Sequence, residues 1–302
     1  MNVFKMNQMV FGQAKAGEKP IIPSPPPKKS PSRPGRVFQL SQRPSNWAIF
    51  LVSFLTYLVG IFPSIVFALP TDPAIQSGSV NIETITHEPD ADILKTMNVY
   101  QGTDKAIIDW GSFNIDTLEH VDFQLSQGGV TLNRVTGNDP SQILGKLTSN
   151  GNLWLVNPSG VFFGNNAQVD VHSLVATTSN ISNSNFTNEN YNFDIPSNFS
   201  NAIVNQGTIT AAEGGLVALV APGVQNLGVI NARLGKVSLA SGKTFTLDLY
   251  GDQLINLGID SKVIDKVTGM NGETLSSLVT NSGDIFADGG VVRLDVNAAQ
   301  DI

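Results

Sequence analysis

The sequence predicts an all-β protein built as a β-solenoid, a coil of short parallel strands stacked rung upon rung. Three observations predict it. Glycine is frequent (28 residues) and charged residues are few (14%), which leans away from long charged helices and towards β structure. One pattern appears three times: Asn-x-Gly-x-Ile-x-Ala, a short gap, then Gly-x-Val-x-Leu. Each copy resolves into two short alternating strands separated by turn residues.

The copies begin at Asn205, Asn226 and Asn281. The first runs through Gly207, Ile209, Ala211, Gly215, Val217 and Leu219. The second uses Gly228, Ile230, Ala232, Gly235, Val237 and Leu239, and the third Gly283, Ile285, Ala287, Gly290, Val292 and Leu294. Between the first two the offset is 21 residues before the gap and 20 after it. A unit of that size cannot bury its apolar face alone. Stacking units about 4.8 Å apart does bury it, setting Ile on Ile and Val on Val. Asn and Gly tolerate the bends between strands, and aligned Asn amides can share hydrogen bonds from rung to rung.

Competing architectures fit less well. A leucine-rich repeat needs a longer Leu motif and helices, and a calcium-binding β-roll needs Gly-Gly-x-Gly-x-Asp nonapeptides; the run 288–295 supplies neither. A β-sandwich also uses short alternating strands, but it does not require the period. Upstream the alternation continues in Val130-Thr131-Leu132, Leu153-Trp154-Leu155, Val161-Phe162-Phe163 and Val169-Asp170-Val171. The stretch 179–201 departs from it. Crowded with Asn and Ser and interrupted by Pro196, it reads as an extra-helical loop or hairpin lying on the side of the coil.

The N-terminus reads as an address. Residues 1–46 carry eight Lys and Arg against the single acid Glu18, a net of +7, and include Pro25-Pro26-Pro27. Such a segment buries too little apolar surface to offset its ordering entropy and is expected to be disordered. Residues 47–68 are uncharged and end Val66-Phe67-Ala68, the pattern of a signal peptide cleaved between Ala68 and Leu69. A permanent anchor is the alternative, since the run approaches the roughly 20 residues that span a bilayer. No stop-transfer cluster of positive charge follows it.

With an overall formal charge of −7, the remainder after residue 46 carries −7 − 7 = −14. An acidic body argues against nucleic acid as a partner, because phosphate binding needs clustered Lys and Arg. The chain has no cysteine, which excludes disulfides, thiolate zinc sites and cysteine nucleophiles.

A family resemblance rests on several motifs in order. The run Leu132-Asn133-Arg134-Val135-Thr136-Gly137-Asn138-Asp139-Pro140-Ser141 leads into Asn150-Gly151-Asn152-Leu153-Trp154-Leu155-Val156. Asn157-Pro158-Ser159-Gly160-Val161-Phe162-Phe163-Gly164 follows, and then Val169-Asp170-Val171-His172-Ser173-Leu174-Val175-Ala176-Thr177-Thr178. Together they closely resemble the haemagglutination-activity, or two-partner-secretion, domain of filamentous-haemagglutinin-like exoproteins. Leu69-Pro70-Thr71 and residues 105–115 resemble its early part; residues 234–242 and 246–252 resemble its later rungs.

The resemblance implies a right-handed parallel β-helix over 69–252, with further β-helix repeats over 253–302. It implies a chain that reaches the periplasm unfolded and is recognised there by the periplasmic domains of a cognate outer-membrane β-barrel transporter. Folding then starts outside, at the cell surface or in the medium of a Gram-negative-type bacterium. The family's Asn-Pro-Asn-Gly-Ile/Leu secretion motif falls on Asn157, Pro158, Ser159, Gly160 and Val161, with Ser in place of the second Asn and Val in place of Ile or Leu. Independently of the family, Asn, Pro and Gly at this spacing signal a β-turn.

No catalytic, cofactor-binding or metal-binding residues are expected. A β-helical polysaccharide-active enzyme would need clustered carboxylates with a basic partner, whereas Asp109, Asp116, Asp122, Asp139 and Asp170 are scattered. His87, His120 and His172 have no metal-ligand spacing, and Trp110 and Trp154 read as packing groups. Asn-x-Ser/Thr sequons at Asn180, Asn185 and Asn198 arise easily in so Asn-rich a tract. Within the family, specificity lies downstream of the module. The expectation is a longer exoprotein, either an adhesin meeting a host-cell or glycan receptor or a secreted binding protein that captures haem or delivers a toxin.

Overall fold

The computed structural model describes residues 69–197, 201–248, 255–257, 263, 266–269 and 272–297. The basic segment, the apolar run with Ala68, Asn198 and residues 250–252 lie outside the described residues.

The chain starts with a cap. Strand β1 (Ala74–Ser77) lies antiparallel to the second strand of the first rung, and β2 (Val80–Thr86) runs antiparallel to the first. Both cover an edge that would otherwise be free to pair with other chains. Rung 1 is β3 (Lys95–Gln101) and β4 (Lys105–Trp110). Rung 2 is β5 (Glu119–Gln124), β6 (Val130–Val135) and β7 (Ser141–Ile143). Rung 3 is β8 (Lys146–Val156), whose two halves serve two faces, and β9 (Val161–Phe163). Rung 4 opens with β10 (Gln168–Thr177), makes an excursion through α1 (Asn183–Thr187) and β11 (Asn192–Phe193), and resumes at β12 (Ala202–Asn205).

Rung 5 is β13 (Thr208–Ala211), β14 (Leu216–Ala221) and β15 (Gly223–Asn226). Rung 6 is β16 (Val229–Asn231) and β17 (Lys236–Ser241). A second excursion holding β18 (Phe245–Leu247) and β19 (Ile255–Leu257) intervenes before β20 (Val279–Asn281). Rung 7 is β21 (Asp284–Phe286) and β22 (Val291–Val296). Rung-to-rung pairing is parallel throughout and forms three faces. The third repeat, 55 residues after the second by number (281 − 226), stacks directly on it: Ile230 pairs with Ile285 and Val237 with Val292.

The predicted stacking produces the core. On the first face one column reads Met97, Val121, Leu147, Val169, Ile209, Ile230 and Ile285. Burying each such side chain is worth about 1.5–3 kcal/mol before ordering costs. Asparagines form the expected ladder at the corner between the third and first faces. Asn205 Nδ2 donates to Asn226 Oδ1 at 2.8 Å, and Asn226 Nδ2 donates to Asn281 Oδ1 at 2.7 Å. Two residues on, a Cβ on Gly228 would collide with the Gly207 carbonyl and one on Gly283 with that of Gly228, so only glycine lets these corners stack. Asn226→Ala should lower stability by about 1–3 kcal/mol, because it strands the buried Asn205 amide. A shift in the urea midpoint measures this, and an unchanged midpoint would remove the ladder from the account.

Three features differ from the sequence reading. The excursion after β10 is neither a plain loop nor a self-contained hairpin: it contains α1, and β11 joins β18 and β19 in a three-stranded antiparallel sheet. Thr246 and Leu247, expected as part of a later rung, belong to that sheet instead, with Phe245 before them. Lastly, Val130 and Leu132 lie on the outer side of the second face, packed with Trp154, Phe186, Phe193 and Phe245 in a second core. The widely spaced apolar residues of the excursion are what covers them, so this face is buried on both sides and simple alternation misassigns its inward positions.

Candidate functional site

The corner between β8 and β9 carries the predicted motif, and hydrogen bonds tie it to the rungs on both sides. Pro158 fixes one backbone angle, and the Gly160 N–H donates to the Asn157 carbonyl at 3.0 Å, closing the β-turn. The Ser159 N–H donates to Asn157 Oδ1 at 2.8 Å, the side-chain-to-backbone turn that Asn makes well. Gly160 sits at φ +104°, where a Cβ would lie 2.7 Å from the Ala202 carbonyl oxygen. Glycine is needed there for both reasons.

Asn157 is fully buried and reaches back one rung. Its Nδ2 donates to the Asp139 carbonyl and to Ser141 Oγ, both at 3.0 Å. Ser159 Oγ donates to the Asn138 carbonyl at 2.7 Å. Forward ties match these. The Asn157 N–H donates to the Thr177 carbonyl at 2.9 Å, and Ser197 Oγ donates to the Pro158 carbonyl at 2.8 Å. Val161 is fully buried in the main core and pairs with Ser141 and Ile203. One turn therefore joins rungs 2, 3 and 4. Ser159, in place of the family's Asn, keeps a bond to the preceding rung through its hydroxyl.

Sequence reasoning singled out the motif but not its partners Asn138, Asp139, Ser141 and Ser197. A signal was present for Ser141: it precedes Val161 by one period of 20 residues (161 − 141). Leu69, on the mature side of the expected cleavage point, is buried against the core.

The other candidates are structural. Asp109 accepts from Arg134 Nε at 2.7 Å on the second face. Thr148 hydroxyl donates to Asp122, and His120 Nε2 lies 2.7 Å from the same hydroxyl. Asp116 Oδ1 accepts from the Thr117 N–H, while His87 Nε2 contacts Thr96 Oγ1 at 2.9 Å. Trp110 and Trp154 are fully buried. Among the described residues no three His, Cys, Asp or Glu side chains group as metal ligands.

Burial pushes the His120 imidazole below its ordinary value of 6.5; the Asp122 carboxylate opposes the shift and Lys146 adds to it. Folding thus favours the neutral ring. Its contribution to stability is complete above the ordinary value and is lost as pH falls through the depressed one. Between pH 7.5 and about 5 the urea midpoint should fall, and His120→Gln should flatten that part of the profile. An equally steep profile in the variant would assign the sensitivity elsewhere.

A parallel β-helix with a capped first rung and a fully bonded motif corner defines the class, a solenoid domain. The family model for the TPS secretion domain matches residues 75–300. The chain belongs to this family: residues 75–300 are the TPS, or two-partner-secretion, domain of an exoprotein. The match runs beyond residue 252, where the resemblance read from the sequence stopped.

Relatives agree. The chain is 31% identical over 226 residues to a heme/hemopexin-binding protein of Haemophilus influenzae strain Rd, covering 72% of this chain and 23% of that protein. A second Haemophilus influenzae protein of the same name is 40% identical over 117 residues, 38% of this chain and 12% of the relative. The crystal structure of the HMW1 secretion domain from Haemophilus influenzae superposes with a TM-score of 0.58 at 30% identity, covering 75% of this chain and 57% of that one. The shared fold is the right-handed parallel β-helix. The chain spans under a quarter of the length of the curated relatives it matches.

Proposed function

We propose that this chain directs the export of a larger exoprotein through a paired outer-membrane β-barrel transporter and then nucleates the exoprotein's folding outside the cell. In this reading residues 1–46 and 47–68 deliver the chain across the inner membrane, with cleavage between Ala68 and Leu69. Residues 69–252 form the module that the transporter's periplasmic domains recognise, and 253–302 continue the coil. Asn157, Pro158, Ser159, Gly160 and Val161 are the secretion motif. The family match over residues 75–300 is the observation that carries it. Deleting the paired transporter gene should trap the cleaved chain in the periplasm. Undiminished chain at the surface of the deletion strain would refute the proposal.

For the exoprotein's work outside the cell, capture of haem or a haem carrier is favoured by the names of the two Haemophilus influenzae relatives. Adhesion to a host-cell or glycan receptor is the other reading and rests on the family resemblance. Cells expressing the exoprotein, compared with a deletion strain, should retain haem–hemopexin complexes under the first reading and bind host cells under the second.

A further inference from the structure

A solenoid assembled from near-copies has a register problem. The repeats that begin at Asn205, Asn226 and Asn281 present nearly interchangeable faces, so a rung that skips its neighbour still sets aliphatic on aliphatic and Asn on Asn. Exchanging one aliphatic for another of similar volume costs little, too little to forbid a slip. Rung 2 is different. Its inward positions on the second face are Thr131 and Asn133, both fully buried. The same two columns hold Leu153 and Leu155 in rung 3, then Leu174 and Ala176 in rung 4.

This interior polarity is paired, and the pairs cross rungs. Trp110 Nε1, from rung 1, donates to Asn133 Oδ1 at 3.0 Å. Asn133 Nδ2 donates to the Trp154 carbonyl of rung 3 at 3.3 Å. The Thr131 hydroxyl donates to Gln101 Oε1, and Gln101 Nε2 donates to the Thr103 carbonyl at 2.7 Å. Rungs 1 to 3 are thus joined from inside by paired polar groups.

We infer that Asn133, hydrogen-bonded to Trp110, is a register key that fixes the alignment of the first three rungs, on which every later rung is stacked. If β4 paired with β8 and skipped β6, Leu155 would take the place of Asn133 beside Trp110, since Asn133 and Leu155 are register partners. The Trp110 N–H would then lose its Asn133 acceptor. Gln101 would lose Thr131 in the same slip. In some proteins a buried polar group fixes register at a cost in stability, and here the alternative it excludes is built into the repeat.

The informative variant is Trp110→Phe/Asn133→Leu, because Asn133→Leu alone strands the Trp110 N–H. The full chain is refolded from urea, and hydrogen exchange is followed by mass spectrometry over 130–135 and 153–156. Wild type should give one population. The double variant should give two, with a melting temperature no lower than wild type. A single wild-type-like population in the double variant would overturn the inference. So would a single population that melts lower, or failure to fold, since either makes the pair a source of stability and not of register.

Discussion

Asn157→Ala should lower the stability of the folded domain by about 2–4 kcal/mol. Alanine removes the Nδ2 donor to Asp139 and Ser141 and the Oδ1 acceptor for the Ser159 N–H. Asn157 and Ser141 are buried, as is Ser159, so water does not replace the lost partners cheaply. Because the turn also receives ties from Thr177 and Ser197, loosening it reaches both neighbouring rungs. Asn157→Asp is the informative companion. It keeps the acceptor for Ser159, but faces the Asp139 carbonyl with an oxygen in place of a donor, and should destabilise as well. Denaturant titration reads both, and wild-type midpoints would mean that the bonds of this corner contribute nothing.

Trp154→Ala should cost about 3–5 kcal/mol, the range for deleting a buried aromatic from a packed core. Trp154 is 2% exposed on the outer side of the second face. Its ring meets Phe186, Tyr191 and Phe193 at centroid distances of 5.3, 4.8 and 5.7 Å. These residues come from the excursion, which has few other apolar anchors. Its other ties include the Phe193–Phe245 stack at 4.4 Å and Lys105 Nζ donating to the Thr187 carbonyl at 3.0 Å and to Glu189 at 2.8 Å. Removing Trp154 should therefore release the excursion before the coil opens. Limited proteolysis should cut within 179–197 in the variant at denaturant concentrations where the wild type is intact. Simultaneous loss of all regions would show that excursion and coil unfold as one unit.

The coil itself was legible because its physics is local and periodic. Ile209, Ile230 and Ile285 announce one another by spacing, as do Asn205, Asn226 and Asn281, and the ladder of amides follows from stacking alone. The excursions were opaque for the converse reason. Phe186, Tyr191, Phe193 and Phe245 have no period, and they are apolar because of Trp154, which is far away in sequence. The same long-range burial inverts the meaning of Val130-Thr131-Leu132, whose alternation points its apolar residues outward beneath a cover that a one-dimensional reading does not see. The antiparallel cap escaped notice because β1 and β2 carry ordinary strand sequences, and parallel and antiparallel partners leave no distinct trace in a single strand. At the motif, Asn-Pro-Ser-Gly declared a turn, but its burial depends on Asn138 and Ser141 in the rung before.

We propose that the Asn157 corner carries this domain's secretion signal. Export of Asn157→Ala, measured against Asn226→Ala in a strain carrying the paired transporter, tests it most directly. Both substitutions remove a buried amide ladder or turn bond, but only one lies in the motif. Asn157→Ala should accumulate in the periplasm and fall at the surface and in the medium, while Asn226→Ala should be exported. Export of Asn157→Ala at the wild-type level would contradict it.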